Sequence, residues 1–293
     1  MNGWIILDKP LGLTSAQGVA AIKRLWRQAG FPRPKIGHGG TLDPLATGVL
    51  PIALGEATKL TGRMLNGDKA YDFTVRFGVA TETEDAEGAV VATSDVRPSR
   101  ADVEAVLPHF TGPIEQRPPA YSALKVDGER AYARARAGET VVLPPRAVTI
   151  HALQLLEADG ETATFSVSCS KGTYVRSLAR DIAEALGTVG HVVMLRRTKA
   201  GPFGLEGAIS LDKLGELAME QRLIAALLPL TAGLDDIPAL AVNPGEAARL
   251  KSGQTLAGRP EPDGLVVAML DAVPVALARV EAGTVRVERG FNL

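Results

Sequence analysis

A single cysteine, Cys169, stands in 293 residues. No intrachain disulfide can form and no Cys-clustered zinc site can be built, which suits a reducing cytoplasm. Aromatic residues make up only 4% of the chain, too few for extended stacking platforms. No stretch approaches the ~20 apolar residues that span a bilayer, so no membrane association is expected. The opening MNGWIILDKPLGLTS lacks a basic start, a long apolar stretch and a small-residue cleavage site. It reads as a first β-strand, not as a signal peptide. The four histidines (His38, His109, His151, His191) form no i,i+4 pair, which argues against a metal centre. GxxxxGK[ST] and GxSxG are both absent, excluding a P-loop enzyme and a nucleophile elbow. A Ser/His hydrolase built on His38-Gly39-Gly40 therefore lacks its nucleophile.

Apolar residues make up 46% of the chain, ample for one or two hydrophobic cores at this length. The net charge of −1 excludes a uniformly basic coat, but it hides a segregation. Residues 1–80 carry ten Lys/Arg against five Asp/Glu, and residues 116–205 carry twelve against eight. Between them, residues 81–115 carry two against eight, and residues 206–293 carry eight against twelve. Two basic segments make one positive face only if the fold brings them together.

Local patterns alternate between period 2 and period 3.6. Trp4–Leu7 reads as a strand. Thr14 or Ser15 caps a helix with Val19, Ile22 and Trp26 on one stripe, closed by Gly30. In KAYDFTVRFGV (69–79), Tyr71, Phe73, Val75 and Phe77 share one face. Ser99 and Asp102 resemble a capping box opening a helix through Phe110. In TATFSVSC (162–169), Ala163, Phe165, Val167 and Cys169 point inward. After Ser170-Lys171-Gly172, a helix carries Val175, Leu178, Ile182 and Leu186 and ends at Gly187. His191–Leu195 is a further strand. Beyond about residue 206 a helix-rich connection runs to Leu228. Short strand-like runs follow at Ala239–Val242, Leu265–Leu270, Val273–Val280 and Val285–Arg289. The pattern predicts an α+β fold with a mixed, mainly antiparallel sheet and a small C-terminal β module.

The chemistry concentrates in residues 36–59, IGHGGTLDPLATGVLPIALGEATK. Glycines 37, 39, 40 and 48 permit close backbone approach, and Pro44 and Pro51 fix φ. Asp43 sits among apolar neighbours. On its own, Asp-Pro is turn chemistry, and a catalytic carboxylate needs a partner for its charge.

The run GHGGTLDPLATGVLP with GEATK, after LDKPLGLTS, resembles the tRNA pseudouridine synthase B family. KAYDFTVRFG with TETEDAEG is similar to that family's second motif. RPPAYSALKVDGERAYARARAGE resembles its inserted segment, and CSKGTYVRSLARDIAEALG with HVVMLRR its third motif. These pieces cover most of residues 1–200 in the family's order. The resemblance implies a pseudouridine synthase fold, with a catalytic domain over 1–231, an RNA-clasping insertion at about 116–146 and a PUA-like module over 232–293. It implies isomerisation of a uridine at position 55 in the T loop of tRNA. That reaction breaks N1–C1′, turns the uracil and joins C5 to C1′ with no redox change, so no cofactor is expected. The expected partner is the T stem-loop of tRNA, with no obligate protein partner.

Residue by residue, Asp43 matches the catalytic aspartate, acting either on a carbon or on a sugar proton. Tyr71 matches the tyrosine that packs on the target base, although its periodicity alone reads as core. Arg176 matches the arginine that pairs with the aspartate, and it opens a helix together with Tyr174. His38 matches a residue that contacts the flipped RNA, and Leu195 an apolar position lining the substrate. Lys9 reads as a phosphate contact, and Arg117, Lys125, Arg130, Arg134 and Arg136 as a clasp for the RNA arm. Two other readings remain: an RNA-binding or RNA-folding module without turnover, and an isomerase acting on ribosomal RNA. The acidic C-terminal segment, opening with NPGEAARLKSGQTL, suits packing or a weak contact to the acceptor arm.

Overall fold

The computed structural model describes residues 1–122, 124–126 and 128–293. Strand Gly3–Lys9 shows how the sheet divides two cores. Successive side chains point to opposite faces. Trp4 and Ile6 enter one apolar cluster, and Ile5 and Leu7 enter another. Both faces are covered, so the strand is a continuous apolar run and not an alternating one.

Among the described residues, ten strands form one sheet. Its order is Leu228–Pro229, Gly3–Lys9, Ala46–Leu54, Gly190–Ala200, Lys69–Phe77, Thr162–Cys169, Arg146–Ala158 and Gly112–Gln116. Ile36–His38 joins Ala46–Leu54, and Phe203–Gly204 joins Gly190–Ala200. Neighbours run antiparallel except at the centre, where 195–197 lie parallel to 46–48. Strands from both basic segments therefore share one sheet.

Helix Ser15–Gln28 is opened by a Thr14 capping box with Gln17. With helix Leu211–Met219 it covers Ile5, Leu7, Leu50 and Ile52. Helix Val175–Ala185 packs Val175, Leu178 and Ile182 onto Phe73, Val75 and Phe165. The Ser99 capping box forms as expected, but its helix is α only over Arg100–Val106 and tightens to 3₁₀ over Leu107–Phe110, where Pro108 lies. The opposite face of the sheet is covered from the C-terminal side. A four-stranded sheet runs Ala239–Ala241, Gly264–Leu270, Val273–Glu281 and Thr284–Gly290. Its Val267 and Leu277, with Phe291 beyond, meet Trp4, Ile6, Val49 and Ala53.

The central strand Ala46–Leu54 contains Gly48 and Pro51, two residues that interrupt a strand pattern in the sequence. Pro51 falls between two ladders, 46–48 against 195–197 and 52–54 against 36–38, where a strand can spare an N–H. Gly48 has φ +98°, and a Cβ there would lie 2.2 Å from the Arg197 carbonyl oxygen. Gly48→Ala is therefore expected to lose about 2–4 kcal/mol of stability through strain and overpacking. Urea unfolding reads this directly, and an unchanged midpoint would rule out the close approach.

Candidate active site

Asp43 begins the turn that feeds strand Ala46–Leu54. Its carbonyl accepts from Ala46 N–H at 3.0 Å, so the turn reading of Asp-Pro holds for the backbone. The side chain is left for other work. One Asp43 carboxylate oxygen lies 2.9 Å from Arg176 Nη2, with Asp43 42% exposed and Arg176 only 7%. A buried cation thus faces a carboxylate that opens to solvent.

The turn is held from several directions. The Ser15 hydroxyl accepts from Leu42 N–H at 2.8 Å and donates to the Leu42 carbonyl at 3.1 Å. Gly12 N–H donates to the Pro44 carbonyl at 2.8 Å. Lys9 is fully buried, and its ammonium donates to the carbonyls of Leu13 (2.6 Å), Pro10 (3.0 Å) and Pro44 (3.3 Å). The expectation of a Lys9–phosphate contact is corrected by this arrangement. Its three N–H groups are spent on backbone oxygens that fix the loop, and no face is left for RNA.

Arg176 stands in the first turn of helix Val175–Ala185, where Tyr174 is the N-cap. Tyr174 N–H donates to the Gln116 side-chain carbonyl at 2.7 Å, and the Arg146 guanidinium lies 4.8 Å from the Tyr174 ring centroid. Arg176 Nη1 donates to the Thr83 carbonyl at 2.8 Å and lies 3.4 Å from Asp85. Its Nη2 donates to the Tyr121 carbonyl at 3.0 Å as well as to Asp43. The planar fork thus serves four acceptors from three segments. Asp85 is itself fixed, accepting from the Thr83 hydroxyl at 2.5 Å and Glu87 N–H at 3.0 Å. Beside it Glu84, at φ +62°, pairs with Arg180 and accepts from Ser177. Burial raises the Glu84 carboxyl, and Arg180 opposes that shift. Two acids of the run 81–115, Glu84 and Asp85, therefore turn inward onto the arginines of this helix.

Tyr71 is half-buried and packs against both clusters of the sheet core together with Leu195. Burial pushes its phenol up, Arg197 opposes that shift, and the charge of Asp43 adds to it. Leu195 pairs with Ala46 on one side and Phe73 on the other, three residues beyond Asp43 along the turn. His38, on strand Ile36–His38, is half-buried. Burial and the nearby Arg197 charge hold its imidazole below the ordinary histidine value, so it is neutral at physiological pH.

The structure thus gathers Asp43, Arg176, Tyr71 and Leu195 around the start of one central strand, whereas His38 pairs with Ile52 farther along it. Tyr174 sits two residues from Arg176 and contacts the root of the insertion. In that insertion, hairpin Lys125–Val126/Glu129–Arg130 leads into helix Ala131–Arg136. Arg134 pairs with Glu139 at 2.7 Å, and Arg136 lies over the Tyr132 ring.

Asp85 and Arg197 escape a reading by residue type. Asp85 lies inside TETEDAEG, but nothing in the string says which acid turns inward. Burial lowers Lys9 and Lys69 to about 8, below the ordinary lysine value. A lysine whose folded pKa lies below its unfolded one opposes folding while charged. Its contribution to stability accordingly rises with pH between about 8 and 10.5. With ¹³C-labelled lysine, two ε-methylene signals are expected to titrate near pH 8. One should vanish in Lys9→Met and the other in Lys69→Met. Titration of every signal near 10 would mean that both ammonium groups are solvated.

A mixed sheet that presents an aspartate turn to an arginine at a helix start is the frame of a pseudouridine synthase. The solved structure of an H/ACA RNP bound to a substrate RNA containing 2′-deoxyuridine aligns with a TM-score of 0.75 and 27% identity, covering 99% of this chain and 85% of that one. The chain belongs to the TruB family of pseudouridylate synthases. Residues 26–175 match the family's N-terminal domain, and residues 176–235 match the tRNA pseudouridylate synthase B C-terminal domain. The sequence is 62% identical to tRNA pseudouridine synthase B of Novosphingobium aromaticivorans, covering 100% of this chain and 98% of that protein. It is 58% identical to tRNA pseudouridine synthase B of Zymomonas mobilis, covering 100% and 96%.

Proposed function

We propose that this protein isomerises uridine to pseudouridine at position 55 in the T loop of tRNA. The observation that carries the reading is the half-exposed Asp43 carboxylate, held at 2.9 Å by a buried Arg176 at the heart of a pseudouridine synthase fold. A base in a folded loop reaches such a site only when flipped out, at a cost of a few kcal/mol. In this reading Tyr71 packs on the flipped base, Leu195 lines its pocket, and neutral His38 and Tyr174 contact the splayed RNA. Asp43 acts on the glycosidic carbon or removes a sugar proton. The isomerisation balances without an oxidant or reductant, because the bond from C1′ moves from N1 to C5, the C5 proton leaves and N1 takes up a proton.

Residues 1–231 form the catalytic domain in this reading, with residues 116–146 clasping the T arm and 232–293 as a separate β module. Among the described residues no helix is long and apolar enough to cross a membrane. With Cys169 buried and free, the proposed setting is the cytoplasm, with tRNA as the partner and no protein partner required.

The decisive experiment is incubation with an unmodified tRNA transcript, followed by pseudouridine mapping at single-nucleotide resolution. One new pseudouridine is expected, in the T loop, formed without nucleotide or redox cofactor. Binding without modification would turn the reading to an RNA-folding module. Modification confined to ribosomal RNA fragments would overturn the choice of substrate.

A further inference from the structure

One large cation at the site has no role in the reading above. Arg197 is 1% exposed, on the central strand Gly190–Ala200. Arginine is almost never buried this fully unless its donors are satisfied. Its guanidinium donates to three backbone carbonyls. They are Val49 (2.7 Å, from Nε), Thr41 (3.2 Å, from Nη1) and Gly40 (3.4 Å, from Nη2). Gly40 and Thr41 precede Asp43, and Val49 follows it. Both arms of the aspartate turn are therefore tied to one rigid side chain. Gly40 has φ +140°, and a Cβ there would lie 3.5 Å from the guanidinium, so the loop approaches without a side chain in between.

We propose that Arg197 is a positioning residue for the reaction, a clamp that sets the Asp43 carboxylate against the flipped nucleotide by fixing the carbonyls on both sides of its turn. This rests on the isomerase reading. Arg197 touches no RNA in this role and acts through the turn. Displacing a reacting group by about 1 Å costs roughly 100-fold in rate, so the clamp acts on turnover more than on binding. Lysine keeps the charge but carries its donors on one atom, so it does not reproduce the spacing of a planar fork set between these carbonyls.

The test uses Arg197→Lys and Arg197→Gln in the full chain, with a T-arm stem–loop as substrate. Single-turnover rates at saturating enzyme are measured well below each variant's Tm, alongside the Kd for the RNA. Both variants are expected to be at least 30-fold slower, with Kd within threefold of wild type. The His38 imidazole, followed by NMR, should titrate higher in Arg197→Gln, which lacks the neighbouring charge, and little changed in Arg197→Lys. Near wild-type rates in folded variants would overturn the proposal. So would a loss confined to Kd, which would make Arg197 an RNA-binding residue. Failure of both variants to fold would also overturn it, placing Arg197 in the folding core alone. Wild-type protein in the same assay separates the two readings: if it forms no pseudouridine, the isomerase reading itself has failed.

Discussion

Asp43→Asn is expected to bind tRNA within about threefold of wild type and to form no detectable pseudouridine, a loss of roughly 10⁴-fold or more, as for residues acting in the transition state. The geometry explains why the loss should be confined to turnover. The Asp43 carbonyl, not its side chain, closes the turn onto Ala46. Leu42 is held by Ser15, and Pro44 by Gly12 and Lys9, so the loop keeps its anchors. An asparagine oxygen still accepts from Arg176 Nη2, and Asp85 still faces the same guanidinium. What disappears is the anionic oxygen that serves as nucleophile or base. Pseudouridine quantified under single turnover, with Kd from filter binding, checks the result. A folded variant converting tRNA at near wild-type rate would make Asp43 a turn residue and nothing more.

Arg176→Lys is expected to lower the rate by roughly 100-fold or more and stability by about 3 kcal/mol, as when one partner of a buried, hydrogen-bonded charge pair no longer fits. Arg176 spans the carbonyls of Thr83 and Tyr121 and the carboxylates of Asp43 and Asp85. A single ammonium has three donors on one atom and cannot reach acceptors arranged for a fork. The buried Asp85 is the group left worst served, at 5% exposure. Thermal unfolding and single-turnover kinetics together make the check. A lysine variant with wild-type rate and Tm would mean that charge alone, without the fork, satisfies the site. The two substitutions differ in a telling way: Asn at 43 should spare the melting temperature and Lys at 176 should not.

Much of this fold is readable in the residue pattern, for a physical reason. Strands Lys69–Phe77 and Thr162–Cys169 and helix Val175–Ala185 each bury one side, so period 2 and period 3.6 stand out. Strand Gly190–Ala200 runs five residues past the expected end at Leu195. Arg196 and Arg197 look like the start of a loop until one sees Asp8 pairing with the first and backbone carbonyls taking the second. Strand Ala46–Leu54 hides behind Gly48 and Pro51, whose tolerance depends on where neighbouring ladders stop. Lys9 looks like an exposed cation because its acceptors at Leu13 and Pro44 come together only in three dimensions. Asp43, Tyr71 and Arg176 are legible through resemblance, not pattern. Tyr71 does continue an apolar face, as its periodicity says, and Arg176 is no surface arginine.

The seam between the two sheets also has a bearing on the order in which the molecule is made. The Trp4 indole N–H donates to the Leu230 carbonyl at 3.1 Å, a separation of 226 residues, and Gly3 pairs with Pro229. On the ribosome, the first strand emerges with one neighbour arriving early, at residues 46–54, and the other only some two hundred residues later. Until Val267, Leu277 and Phe291 have followed, the apolar surface of Trp4, Ile6 and Val49 is covered only in part, by neighbours such as Leu60, Met64 and Phe203. Contacts of such long range close late and slowly, and the waiting surface is the kind that aggregates or recruits a chaperone. A nascent chain stalled near residue 230 therefore carries every residue of the proposed site and still exposes part of one face of its sheet to water.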